Sequence, residues 1–527
     1  MGRVMPKKPA ACLWGTWGAL LFLSGTVAAL ADQQRGPLAQ PVGAAPSATI
    51  RYVSPAGHDG GSSCVAKASP CATVQRAVDV ATPGDEVWIA GGTYTRPGTV
   101  AALVKGLRLK GAYDPAFTHA DPAQHPTVLD AQGLGSALSI RSAGEVWLER
   151  LTLTGGNGAG NCDDRGCGGG IYAADTALHL VDCTLTDNVG SRSGRAEGGG
   201  LYAAGGTVEI LESRVLSNTA NANPTSSERG HGGGIYINQS AVKLVGNQFL
   251  DNRAALYAPG FGGGASLNYL IQGEVVSNTF ATNQANTYGY YGSYGGGLYI
   301  ANSAAVTLSG NRFEGNRSNG TGGGVEIIWS DVIMARNLVL GNLAAGGGGV
   351  FVQSSTPVTL NNNLVAGNQA GFHGGGVYAS LTEPPGSRVL LVNNTIADNG
   401  AEGIASWSYA VYTLTNNIIA GHDTGIVTPK PLSATITADT NLFWNGNDPI
   451  VGGGAIRLDP RLRPDYRLRT GSPAVDAGLI IPWLTVDLDG EPRPQGGGYD
   501  LGAYEGEEEA WDNLLPLVWR HDSHVGR

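Results

Sequence analysis

The sequence predicts an all-β solenoid, a parallel β-helix, on three observations. A glycine block recurs along the chain, two asparagines recur at fixed spacing, and short apolar–polar alternations fill the space between them. Three consecutive glycines occur eight times between Gly168 and Tyr378, beginning with Gly168-Gly169-Gly170-Ile171-Tyr172 and Gly198-Gly199-Gly200-Leu201-Tyr202. Further blocks start at Gly232, Gly262, Gly295, Gly322, Gly347 and Gly374, at intervals of 25 to 34 residues. A period in that range marks stacked repeats.

The second pattern reads aliphatic, two residues, Asn, one residue, apolar, two residues, Asn. Leu244-Asn247-Phe249-Asn252, Leu308-Asn311-Phe313-Asn316, Leu360-Asn363-Val365-Asn368 and Leu391-Asn394-Ile396-Asn399 all follow it. No helical face runs through these segments, whereas Val306-Thr307-Leu308 and Val358-Thr359-Leu360 alternate as strands do. Each repeat therefore holds about three short strands with Gly and Asn at the corners. One such coil cannot bury its apolar side chains, but coils stacked at about 4.8 Å make a continuous core. Leu180, Ile210, Leu244, Leu308, Met334, Leu360, Leu391 and Leu414 are expected in one internal column. Asn247, Asn278, Asn311, Asn337, Asn363, Asn394 and Asn417 are expected as a ladder at one corner, where stacked amides satisfy one another. Asn also tolerates the left-handed conformation that corners need.

The tetrads from Phe249 to Asn252, Phe280 to Asn283 and Phe313 to Asn316, together with the Gly-Gly-Gly-aliphatic blocks, resemble the polymorphic outer-membrane protein repeat. More broadly they resemble bacterial right-handed parallel β-helix proteins of the pectin-lyase-like superfamily, over roughly residues 50–425. The family's transporting β-barrel is not expected here, because too few residues follow the repeats. Residues 72–81 (ATVQRAVDVA) place Val74, Ala77, Val78 and Ala81 on one helical face, which looks like that superfamily's N-terminal helical cap. Near the other end, Ser472 to Gly478, Asp487 to Pro494 and Tyr499 to Glu505 resemble, in order, the choice-of-anchor Q domain of bacterial surface proteins. The expected organisation is a signal peptide (1–31), a flexible leader (32–49), cap and first coils (50–150) and β-helix repeats (151–424). A small C-terminal module (425–505) and a tail (506–527) follow.

Composition agrees with export. Arg3, Lys7 and Lys8 precede an apolar stretch and an Ala29-Leu30-Ala31 site, the pattern of a secretory signal peptide cut after Ala31. An uncleaved anchor is the alternative, since the run is nearly of spanning length. Loss of residues 1–31 would take three basic residues and no acid, moving the net charge from −10 to −13. No basic stripe interrupts this acidic chain, so nucleic acid is excluded as the expected partner. Cys64 with Cys71 and Cys162 with Cys167 read as local disulfides of an oxidising compartment, secreted or cell-surface. Cys183 stands in the Asn-ladder register and reads as a buried, inert thiol.

Alternation sends the residue after each block's aliphatic position outward. Those residues are Tyr172, Tyr202, Tyr236, Tyr299, Phe351 and Tyr378, interrupted by Ser266 and Glu326. An aromatic stripe is a platform for sugar rings, or it stacks on itself beneath neighbouring loops. The loops before the early blocks are long, and Tyr288, Tyr290, Tyr291 and Tyr294 crowd into one of them. Such loops on one side of a solenoid form binding walls. Catalytic groups are sparse: Glu228, Arg229, His231 and Glu326 are the weak candidates, with Asp163, Asp164, Arg165, Arg195 and Glu197 in adjacent loops. Asp487 and Asp489 are spaced either for calcium in a tight turn or for an Asx turn. No other cofactor is expected.

The sequence reading is a non-catalytic, exported β-helix at the cell surface, binding a polysaccharide or surface glycan, or mediating adhesion. The alternatives are a polysaccharide lyase or glycoside hydrolase using the early-coil loops, and a plain structural spacer.

Overall fold

Each coil is built from short alternating segments joined at corners that take left-handed backbone. In one early coil, a strand spans Ile171–Val181 and bends at Asp175 (φ 51°), and the next strand spans Thr184–Thr186. Asp182 and Asp187, each at positive φ, turn the chain on either side of Thr184–Thr186. The computed structural model describes residues 48–288, 292–381, 386–428, 434–446 and 452–506. Among them the strands form sheets of 23, 13, 4, 4 and 2 strands, and every pairing between named strands is parallel. The 13-stranded sheet takes one strand per coil, so the chain winds as a solenoid.

The interior is a set of columns. Leu148, Leu180, Ile210, Leu244, Val275, Leu308, Met334, Leu360, Leu391 and Leu414 pair coil by coil and are fully buried. The expected column is present, with Val275 filling the position that lacked a leucine. A second column carries Phe249, Phe280 and Phe313, stacked with centroids 4.5 and 5.1 Å apart.

Three polar ladders hold the corners. In the expected one, Asn247 Nδ2 donates to Asn278 Oδ1 (2.9 Å) and to Ile210 O (2.7 Å). Asn278 Oδ1 also accepts from Asn247 N (2.9 Å), so both amide hydrogens and both lone pairs are used. The pattern repeats through Asn311, Asn337, Asn363, Asn394 and Asn417 to Asn441. Its first rungs are Ser213 and the buried Cys183, whose thiol burial pushes up to about 12. A second ladder, five residues on, runs Asn188, Asn218, Asn252, Asn283, Asn316, Asn342, Asn368 and Asn399. The third is made of hydroxyls: Ser303, Ser330, Ser354 and Ser387 each accept from the backbone N–H of the preceding coil.

The second ladder ends on His422. Asn399 N donates to its Nδ1 (3.2 Å), and its Nε2 lies 3.2 Å from Ile396 O. An Nε2–H imidazole thus copies a carboxamide, with Nδ1 in place of the oxygen and Nε2–H in place of the amide donor. Burial pushes its pKa down to about 4, which keeps the ring neutral.

The ends are closed differently. A helix at Val74–Val80, within the expected span, buries Val74, Ala77 and Val78, and Thr73 Oγ1 caps it by accepting from Arg76 N. At the other end the coils run past residue 424, where the sequence suggested a boundary. Thr435–Asp439 and Leu442–Trp444 still pair in parallel with the preceding coil. The segment after them folds back along the rod instead of standing apart. Asn362, Asn393 and Asn416, on three successive coils, donate to the carbonyls of Val486 (2.6 Å), Asp500 (2.9 Å) and Leu479 (2.8 Å). A fully buried Arg493–Glu505 pair braces this arm, and Arg493 Nη2 reaches Asn362 Oδ1 (3.0 Å). The expected signal peptide and most of the expected leader (together 1–47), and the tail from 507, lie outside the described residues.

His422 sets a pH dependence. Its pKa is lower folded than unfolded, so the unfolded chain binds more protons between about pH 6.5 and 4, and stability falls as pH falls through that window. His422→Asn should supply the same rung without a titrating group. Thermal melts at pH 5 should show the variant more stable than the parent by roughly 1–3 kcal/mol, with little difference at pH 8. Equal shifts at both pH values would remove the histidine from this role.

Candidate functional site

The aromatic row forms in the predicted register but not on the surface. Tyr172, Tyr202 and Tyr236 pair directly, then Ser266, Tyr299, Glu326, Phe351 and Tyr378 continue the line. Tyr172, Tyr202 and Phe351 are only 6–7% exposed, and Tyr236, Tyr299 and Tyr378 are half-buried. Stacking at 5.3 and 5.6 Å links Tyr172, Tyr202 and Tyr236. The cause is the early loops, whose described ends pair with one another across the row. Gly166–Cys167, Ala196–Glu197, Gly230–His231 and Gly260–Phe261 pair with one another as a small parallel sheet. Cys167 packs against Tyr172 and Tyr202, with Cys162 beside them. Both predicted disulfides, Cys64–Cys71 and Cys162–Cys167, are present. Of the two readings the sequence left open, the row stacked on itself beneath loops is the one present, and Tyr172, Tyr202, Tyr236, Tyr299, Phe351 and Tyr378 are corrected as an open ligand platform.

The weak catalytic candidates do not converge. His231 stacks on Phe261 (4.4 Å), and its Nδ1 is buried without a hydrogen bond. Burial, then the nearby Arg195, Arg229 and Arg165, pushes its pKa down to about 3. Glu228 and Arg229 are exposed, and Arg229 lies over Phe261. Glu326 sits about three coils, on the order of 14 Å, along the row that runs from His231 through Phe261 and Tyr294 to Thr321. Glu326 is 1% exposed, accepts from Gly295 N (3.1 Å), and contacts Thr321 Oγ1 at 2.9 Å. Burial pushes its carboxyl up to about 8, so near neutral pH it is largely protonated. In the loops, Glu197 is clamped between Arg165 and Arg195, both at 2.9 Å, and Asp164 pairs with Arg165. Tyr288 is exposed against Tyr257, and Tyr294 packs on Phe261. Tyr290 and Tyr291 lie outside the described residues.

Asp487 is a turn residue: Oδ1 accepts from Asp489 N and Glu491 N, and Oδ2 accepts from Glu505 N, each at 2.9 Å. Asp489 pairs instead with Arg467. The two carboxylates are thus engaged separately. Among the described residues no three His, Cys, Asp or Glu side chains gather where they would hold a metal ion.

The open surface lies on the next sheet face around the coil. There the outward residue between two buried ones is Trp147, His179, Glu209, Lys243, Glu274, Thr307, Ile333, Thr359 and Leu390 in successive coils. Its early part is a groove of about 750 Å³, lined by His179, Glu209, Lys243, Glu274, Thr307 and Ser309 among others. Titratable side chains pair along its floor. Glu145 meets His179 Nε2 (3.3 Å), His179 Nδ1 meets Glu209 (2.9 Å), and Glu209 meets Lys243 (2.9 Å). Lys243 and His179 hold the Glu209 carboxyl below its usual range. Trp147 stacks on His179 at 3.9 Å, and Arg108 lies over Trp147 at 4.6 Å. Along the adjoining corner, Tyr269 (56% exposed) and Trp329 (46% exposed) share one register, two coils apart. The sequence shows this strand at Val306-Thr307-Leu308 and Val358-Thr359-Leu360, but outward positions are assigned there only in the strand after each glycine block, so the row is missed. Its signal is legible in Leu178-His179-Leu180, Val208-Glu209-Ile210 and Val242-Lys243-Leu244, a polar residue between two core residues at the repeat period.

Glu326 yields a prediction. Its folded pKa is above its unfolded value, so stability falls as pH rises from about 4.5 to about 8, by at most about 1.4 kcal/mol per pH unit. Glu326→Gln keeps the same shape and hydrogen bonds. Melting temperatures across pH 5–8 should decline less steeply in the variant, and identical slopes would contradict the buried acid.

A family model agrees with this architecture over part of the chain. The family model described as "Right handed beta helix region" matches residues 136–337, and the one described as "Periplasmic copper-binding protein (NosD)" matches residues 289–450. No curated protein matches. Solved structures similar to the chain include pectate lyase Pel9A, with 12% identity, 87% of this chain and 96% of that one covered, and a TM-score of 0.33. XylC in complex with xylose has 8% identity, covers 87% and 99%, and has a TM-score of 0.40. The PL6 family alginate lyase AlyGC has 13% identity, covers 82% and 58%, and has a TM-score of 0.36. The chain is a right-handed parallel β-helix.

Proposed function

We propose that this chain is an exported, surface-displayed β-helix that binds a glycan chain lengthwise along its open sheet face, without catalysis. The carrying observation is the groove from His179 to Ser309, which crosses five coils and hence about 19 Å of rod. A polymer of repeating units suits a floor that repeats at each coil. Glu209, Lys243, Glu274 and Thr307 offer alternating donors and acceptors for hydroxyls, and Tyr269 and Trp329 offer ring faces at the rim. His179 and Glu209 hold each other and their neighbours, so neither stands poised as a free base. Two disulfides support an oxidising compartment. Surface attachment through the C-terminal module that resembles a choice-of-anchor Q domain belongs to the same proposal. Copper, named in one matching family's description, has no ligand cluster among the described residues, and no metal role is proposed.

Affinity electrophoresis against a polysaccharide panel tests this reading. The protein should be retarded by at least one polymer, and Lys243→Ala combined with Glu274→Ala should weaken that binding about tenfold with little change in melting temperature. Retardation that survives the double substitution would move the site elsewhere. Release of unsaturated or new reducing ends would replace the reading with a lyase or hydrolase.

A further inference from the structure

The same outward row continues past the groove to Ile333, Thr359 and Leu390, where the returning C-terminal arm lies beside it. Between them is a second cavity, of about 520 Å³, lined by these three residues, Arg336, Asn361 and the arm residues 483–486. Three of the side chains lining it carry recognition chemistry. Arg336 is half-buried, and among the described residues its guanidinium makes no hydrogen bond or ion pair. The more buried arginines Arg51, Arg165 and Arg493 pair with carboxylates, whereas Arg336 lines a cavity with its guanidinium unengaged. Asn361 is 6% exposed, yet its carboxamide has no partner among the described residues, in a protein whose ladder amides use every donor and acceptor. Trp483 stands 58% exposed on the arm. The Asn361 amide is not among the enclosed unpaired groups, so it and the accessible guanidinium lining the same cavity keep their hydrogen-bonding capacity for a ligand.

We propose that this cavity is a binding site for one acidic sugar unit, carrying a carboxylate or a sulfate, within a glycan lying on the sheet face. Arg336 takes the anionic group, bidentately where the group is a carboxylate. Asn361 and Thr359 exchange hydrogen bonds with ring hydroxyls. Trp483 covers the apolar face of the ring, and Ile333 and Leu390 form the dry floor. A cavity of this size holds one or two sugar rings, which fits a single recognised unit rather than a whole chain. The site exists only because the arm returns to the coils, so both walls are needed. The proposal extends the glycan-binding reading above and rests on it for the polymer, but not for the acidic unit.

Isothermal titration with the intact protein separates the two. The probes are an oligouronate of four to six units, its carboxyl-reduced neutral counterpart, and a sulfated oligosaccharide of equal length. At least one acidic probe should bind ten or more times tighter than the neutral one. Arg336→Asn, a residue that the next coil already carries at this corner as Asn362, should abolish that preference. Trp483→Ala should weaken binding of the preferred acidic probe about tenfold, and Lys243→Ala with Glu274→Ala should leave the acidic preference in place. A preference for the carboxylate over the sulfate, or the reverse, identifies the anion. Equal affinity for acidic and neutral probes would overturn the pocket while leaving the sheet face standing. So would failure of both acidic probes at millimolar concentration, or an unchanged preference in Arg336→Asn with the melting temperature retained.

Discussion

The buried carboxamide at each corner is the constraint on which this molecule depends. An Asn in the ladder accepts from the backbone and the side chain of the coil before it. Its own amide donates back to a carbonyl of that coil and forward to the next Asn. Each rung therefore ties three coils at one spacing, and a coil displaced by one residue would leave several polar groups buried and unpaired, at roughly 1–3 kcal/mol each. With register held in this way, every other row follows. Leucines fall on leucines inside, phenylalanines stack on phenylalanines, and the outward residues form lines along the rod.

Register decides what aligns, but the loops decide what is exposed. The early loops are rich in small residues and pair with one another over the Tyr172–Tyr202–Tyr236 stack. That face therefore becomes a second layer of core, sealed by the Cys162–Cys167 bridge and by Arg141 over Tyr172. The neighbouring face, where the strand turns directly into the Asn corner, has no loop long enough to cover it. Openness there is a consequence of tight corners, and the same tightness leaves room for the C-terminal arm to lie alongside the later coils.

Much of the architecture was legible because it is periodic. The columns through Leu180 and Leu308, the ladder through Asn311, the helix at Val74–Val80 and both disulfides follow from spacing alone. What escaped the sequence is what depends on contacts without a period. His422 does not look like an asparagine until Asn399 and Ile396 are seen around it. Coils beyond residue 424 lose the glycine block yet keep the strand pairing, so the repeat signal ends before the solenoid does. Asn362, Asn393 and Asn416 precede the ladder asparagines without a signal of their own, yet their amides donate to an arm more than sixty residues further on. Exposure of the aromatic row was likewise a question about loop pairing, which alternation within a strand does not address.

Native-state hydrogen exchange at the ladder amides tests the central claim most directly. The backbone N–H groups of Asn278, Asn283, Asn311, Asn316, Asn337 and Asn342 all donate to side-chain oxygens of the next coil. The account predicts that they exchange only through global unfolding, with one common free energy equal to that of the whole solenoid. Corner amides that exchange orders of magnitude faster than the strands they join would mean that the ladders follow the stacking and do not set it.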